Sequence, residues 1–169
     1  VPDSPRGLMG LMATQIQQGY ETHLDDAAAE QEARYALDWI ARDLRSAGSD
    51  PYTSIANGEE IRIDPNGGLN KKDSIRITAD INPPDGMLGA GEDVVIAFDA
   101  ANNVITRQDL LALDPSAQPM TENLFTNLSF TLLDASGAVA SNSQLAAAIQ
   151  VQVTARSRAR NSATGAFTT

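Results

Sequence analysis

Cysteine is absent from the 169 residues, and histidine and tryptophan occur once each. Without cysteine the chain can form neither structural disulfides nor thiolate metal sites. The single histidine, His23, lies in a polar stretch beside Asp25 and Asp26. A histidine nucleophile or zinc site needs partners next to a folded body, so both chemistries lose their usual residues here. Basic residues are scarce: 12 Lys and Arg stand against 22 Asp and Glu, a formal net charge of −10 with a pI near 4.4. Such a surface repels phosphate, and nucleic acid is not expected as the main partner. No run approaches the ~20 apolar residues of a membrane span, and no signal peptide is visible.

A hydrophobic content of 42% is sufficient for a core. The length suits one domain, or one domain with an appendage. Charge is distributed unevenly. Nine acids and the single base Arg107 lie between Asp80 and Asp134; beyond Asp134 there is no acid, only Arg156, Arg158 and Arg160. Two readings stay open, solvated loops with a basic tail or opposite-sign patches that stack neighbours head to tail. The opening VPDSPRG reads as a trimmed or non-native leader and is set aside for the fold.

From Leu8 to Ala47 there is no proline, and Gly10 and Gly19 are the only helix-weak residues. Forty helical residues would extend about 60 Å at 1.5 Å each, more than a body of this size can cover. The first half is polar, with sparse apolar residues at Ile16, Tyr20, Leu24 and Ala27. It is expected to protrude or to lie on a partner. The segment Glu32–Gly48, EARYALDWIARDLRSAG, has the fuller face: Ala33, Leu37, Ile40, Leu44 and Ala47 recur at helical spacing. Leu37, Ile40, Leu44 and Ala47 are expected to pack on the sheet, and Gly48 with Pro51 supplies the stop.

Past Gly48 the period becomes two. Six strands are expected, at 60–64, 73–79, 93–99, 104–107, 124–133 and 149–154. Turns fall at Pro65–Gly68, Ala100–Asn103 and Asp134–Gly137, a breaker-rich loop spans Asn82–Gly91, and Pro115–Pro119 interrupts the chain. The connections leave no room for crossover helices. The expected class is therefore α+β, a long N-terminal helix packed on a mainly antiparallel sheet. Residues 1–31 form the protruding half of the helix. Residues 32–169 form the globular domain, with docked helix 32–48 and a β-rich body ending in a frayed tail from Asn161.

Carboxylates are plentiful, but they cluster in turns and at strand ends, where Asp is favoured for backbone reasons. No catalytic residue is assigned. Gly86, Gly89 and Gly91 lack both a lysine and a strand–loop–helix setting for phosphate. Asp80, Asn82, Asp85, Glu92 and Asp93 crowd one pliable loop, the oxygen-rich setting that hard cations such as calcium prefer. The alternative is an ordinary turn-rich loop. A second acidic start at Asp64 is followed by Lys71 and Lys72 where a calcium loop needs acids. Beyond calcium, no cofactor is expected. Tyr35 and Trp39, four apart, either pack helix on sheet or mark an exposed contact surface.

The pattern ARYALDWIARDLRSAG, then ITRQ…TENLFTNLSFTLLDASG…IQVQVTARS, resembles minor pilins of the PilW kind and is similar to the J-type minor pseudopilin of type II secretion. The resemblance spans roughly Gln15 to Ser157. Its sharpest parts are Arg34–Leu37, Asp43–Gly48, and Glu122–Leu124 with the Asp134-x-x-Gly137 turn, none of them catalytic.

The resemblance implies a prepilin whose short leader is removed by a peptidase. Its apolar half-helix first anchors the subunit in the inner membrane and then builds the filament core. That leader, its early glutamate and the apolar half-helix do not appear in this sequence; Leu8–Ala13 reads as a remnant or as added residues. The implied function is structural: a minor, tip-associated subunit of a type IV pilus or type II secretion pseudopilus. Its partners would be other major and minor pilins or pseudopilins, at the inner membrane and periplasm and then on the cell surface. The alternative is a surface-displayed binding module or adhesin using the 80–93 loop with calcium.

Overall fold

A computed structural model describes residues 5–56, 59–63, 72–141 and 145–157. The class is α+β. Among the described residues, helix α1 (Pro5–Ser46) precedes seven strands: β1 (Ile61–Ile63), β2 (Ser74–Thr78), β3 (Asp93–Asp99), β4 (Val104–Asp109), β5 (Gln118–Pro119), β6 (Phe125–Leu133) and β7 (Ala148–Ala155). No described helix is long and apolar enough to cross a membrane. The Pro65–Gly68 turn, Asp64, Lys71, Arg158, Arg160 and the tail from Asn161 lie outside the described residues, as do the side chains of Leu8–Ala13 and Ile16.

The helix stops for local reasons. Gly48 adopts φ +73°, a left-handed conformation that strains any residue bearing a Cβ. Its N–H then donates to the Thr78 carbonyl at 3.1 Å, and the Asp80 N–H donates to the Ser49 carbonyl at 2.7 Å. These two bonds stitch the helix exit to the end of β2. The stop expected at Gly48 therefore also fastens the helix to the sheet.

The sheet expected as one is two. Strands β1-β2-β3-β4-β5 form an antiparallel sheet in sequence order, and β6-β7 form a separate antiparallel ladder. Strand β6 follows the break after Pro119 and is tied to the ends of the larger sheet. Phe125 N–H donates to Asn103 O at 3.1 Å, and Phe130 N–H donates to Lys72 O at 2.8 Å. Strand β5 was hidden in a segment that read only as a breaker. Pro119 has no N–H, but an edge strand tolerates that. Met120 N–H then donates to Ile105 O at 2.8 Å, and the Thr121 hydroxyl accepts from Ile105 N–H at 2.9 Å.

Period-two alternation sets the core. The register brings Ile63 opposite Ile75, Ile75 opposite Ile96, and Ile77 opposite Val94. Ile75, Ile77, Val94, Ile96 and Ile105 are all buried and share one cluster with Ala36 and Ile40 of the helix. From the ladder come Phe125, Leu128 and Phe130. The odd step from Phe125 to Leu128 is absorbed by an irregularity between Phe125 and Asn127, which returns both side chains to the same face.

Candidate functional site

The functional surfaces are built around α1. Its body-facing stripe is Ala29, Ala36 and Ile40, buried, with Ala33, Leu44 and Ala47 partly buried beside them. Of the four expected packing residues, Ile40 is in the core and Leu44 and Ala47 border it. Leu37 falls off the stripe and is 37% exposed. The reason is rotation: one residue turns the helix roughly 100°, so the core position belongs to Ala36 and its neighbour swings to the flank. Before Ala29 the described side chains are mostly exposed, Tyr20, His23 and Leu24 among them. Ala29 is a buried residue within the half expected to protrude. At the boundary, Glu32 is half-buried, and its enclosed Oε2 has no hydrogen-bond partner among the described residues.

Asp43 turns toward the body and accepts from Arg107 Nε at 3.0 Å. This is the one base of the acidic stretch 80–134. A pairing across sixty-four residues leaves no trace in local pattern. It ties the helix to β4.

On either flank of the docked helix lies a groove. The first, about 590 Å³, is bordered by Tyr35 and Trp39 from α1, Arg107 and Asp109 from β4, and Gln118 and Met120 from the edge opposite. Tyr35 is 50% exposed and meets Trp39 edge-on, with ring centroids 6.2 Å apart. The Arg42 guanidinium stacks on Trp39 at 5.6 Å. Neither ring enters the core cluster: Tyr35 is exposed, and Trp39 is half-buried against the β4 side of the groove. The second groove, about 600 Å³, runs between Leu37, Ala41 and Leu44 of the helix, Ile61 of β1, and Ile149 and Val151 of β7. Asp38 and Arg45 also line it, so an apolar floor carries one acid and one base.

The 80–93 loop gives its carboxylates to backbone donors. Glu92 accepts from the N–H groups of Ile81, Asn82 and Gly89. Burial pushes the Glu92 carboxyl up, but these three bonds together hold it below its ordinary value. Asp80, fully buried, accepts from Asp85 N–H at 3.1 Å and Gly86 N–H at 2.8 Å. Asp85 caps its own turn through Met87 N–H. Asp93 leaves the loop and accepts from Arg76 Nε at 2.7 Å and Nη2 at 2.6 Å, and this pairing raises the Arg76 pKa. The Asn82 side chain is exposed. Of the five residues singled out for calcium, four thus serve separate tasks and the fifth, Asn82, stands exposed. No group of three or more His, Asp or Glu placed to hold a metal occurs among the described residues.

No protein-family model, curated protein or solved structure matches this chain.

Proposed function

We propose that this chain is a structural subunit of a filament of the type IV pilus or type II secretion class, a minor, tip-associated component that acts by packing rather than catalysis. The observation that carries the reading is the asymmetry of α1. Its second half contributes Ala36 and Ile40 to the core, while Tyr20 and Leu24 in the first half stand in solvent. An exposed helix half gains from neighbours, because burying apolar area at ~25 cal/mol per Å² offsets the cost of ordering it. Neighbouring helices of other pilins or pseudopilins fit this need. An apolar segment ahead of the helix would hold the subunit in the inner membrane before assembly carries it to the cell surface.

No bound cation is required by this reading, since the acids of the 80–93 loop already have backbone and arginine partners. The adhesin alternative rests on that loop and draws no support from its inward-turned carboxylates. Deleting the gene tests the proposal: piliation or protein secretion should be lost, and the full-length gene should restore it. Unimpaired piliation and secretion in the deletion strain would overturn it.

A further inference from the structure

The two sheets end in differently guarded edges. In the larger sheet, edge strand β1 is three residues long and carries Arg62, and edge strand β5 is two residues long and holds Pro119. Shortness, charge and proline each discourage a further strand. Strand β7 has none of these guards. Its eight residues, AIQVQVTA, include no charge, no proline and no glycine, and among the described residues it pairs with β6 alone.

The ladder register fixes where this edge points its backbone. Phe125 and Phe130 of β6 send their N–H groups away from β7, to Asn103 O and Lys72 O. Residues opposite one another in an antiparallel pair turn alike, so Ala155 and Val151 point away from β6. With a period of two, Ile149 and Val153 do the same. None of the four makes a backbone hydrogen bond outside the ladder among the described residues. Strand β7 thus presents a row of N–H and C=O groups that an extended backbone matches group for group.

The position of the edge adds a charge preference. Strand β6 lies between β7 and the larger sheet, so the free edge faces away from that sheet. Helix α1 is stitched to the larger sheet at Gly48 and lies against β7 more extensively than against any other strand. Its N-terminal half therefore continues out over the free edge. A strand added ~4.8 Å from β7 would lie about one ~5.4 Å helical turn nearer the helix N-terminus. There the residues bordering buried Ala29 are acidic. Asp25 and Glu32 stand about 40° and 60° from it around the helix, and both are half-buried. Glu32 keeps an enclosed Oε2 with no hydrogen-bond partner among the described residues.

We infer that the free edge of β7 takes an extended segment of another polypeptide as a third strand, with a lysine or arginine on its helix-facing side meeting Glu32 and Asp25. Backbone pairing supplies most of the contact, so the rest of the segment is loosely specified: small or β-branched side chains toward α1, polar ones toward solvent beside the exposed Gln150 and Gln152. A second copy of this chain fits less well, because its β7 brings no base and each copy carries a net charge of −10.

Two end-blocked synthetic peptides test this on the whole chain, TVTKTVT and TVTETVT, whose central residue shares a face with the valines. The lysine peptide should bind roughly tenfold tighter in fluorescence anisotropy, since it gains a charged hydrogen bond where the glutamate peptide meets like charge. In NMR hydrogen exchange, the Val151 and Val153 amides should exchange readily in the free protein and become protected once the lysine peptide binds. Val153→Pro removes an outward N–H that β6 does not use, so the fold should stand while peptide binding is lost. Should that variant misfold, exchange in the wild-type protein decides. Glu32→Gln should remove most of the preference for lysine without abolishing binding. Amides already protected in the free protein, no binding of either peptide, equal binding of the two, or binding that leaves Val151 and Val153 unprotected overturns the assignment. So does a wild-type dimer that Val153→Pro makes monomeric, which would give the edge to a second copy.

Discussion

The loops at Asp80–Asp93 and Leu110–Pro119 both carry acids and prolines, yet they dispose of their side chains in opposite directions. In the first, Asp80 and Glu92 are buried and hold backbone N–H groups. In the second, acids brace the turns from outside while Leu113 points into solvent. Composition would rank the first loop as the binding site and the second as a spacer. The geometry corrects the first rank: a carboxylate consumed by the backbone is a structural part, whereas Leu113 leaves its apolar area in solvent.

The sharpest way to break this contrast is to remove Glu92. Three N–H groups converge on its carboxylate, and truncation leaves them without an acceptor in a part-buried site. At about 1–3 kcal/mol for each stranded buried group, with water reaching the exposed Ile81 and Asn82, Glu92→Ala should lose about 2–3 kcal/mol. The urea midpoint measures it. A loss below about 1 kcal/mol would mean the loop holds its shape without the carboxylate.

Acid probes the same cradle in the intact protein. Glu92 titrates below its ordinary value of 4.5 once folded. Asp99 and Asp134 titrate below 3.8, held down by side-chain bonds from Asn102 and Ser136. A depressed folded pKa means that the unfolded chain binds the proton first. These groups therefore contribute stability that is present above the ordinary values and fades as pH falls through the folded ones. The melting temperature should hold steady above about pH 5 and decline toward pH 3. Glu92→Gln should flatten part of that decline. A profile that is level down to pH 3 would contradict the role given to these bonds.

A smaller effect is expected at the seam between helix and sheet. Arg107→Ala leaves Asp43 with no cation in a site where its side chain is 16% exposed. A charged hydrogen bond of this kind contributes about 1–2 kcal/mol. Thermal unfolding should register the loss, and Trp39 emission should shift red as the helix loosens beside Arg107. Equal stability of variant and parent would assign the docking to the apolar stripe alone.

How much of this was legible follows from the range of each interaction. The strands at 93–99 and 124–133, the Asp134–Gly137 turn and the Gly48 stop depend on neighbours in sequence, so alternation and turn chemistry expose them. The helix stripe was legible to within one residue; Leu37 was misplaced because a small Ala36, not the larger leucine, allows the closest approach to the sheet. The split into two sheets was not legible, because alternation gives a strand its faces but not its partner. Nor was Asp43–Arg107, or the direction of the 80–93 carboxylates, since each depends on chain segments brought together only by folding. The grooves were half-visible. Tyr35 and Trp39 marked the first, and nothing marked Ile61 and Ile149 as walls of the second.

The smallest expected effect is the most discriminating for the outward loop. Leu113 touches little of its own molecule, so Leu113→Ser should change monomer stability by no more than about 0.5 kcal/mol, the range of surface substitutions. Equilibrium unfolding in dilute solution isolates that figure. A core leucine replaced in the same way would lose several kcal/mol through cavity formation. The variant thus separates a leucine that braces the fold from one that does not. A loss of 2 kcal/mol or more would show that Leu113 braces its own loop. A neutral outcome leaves an exposed apolar side chain whose burial can favour only contact with another molecule, which is the property that sets this loop apart from the acid-cradled one.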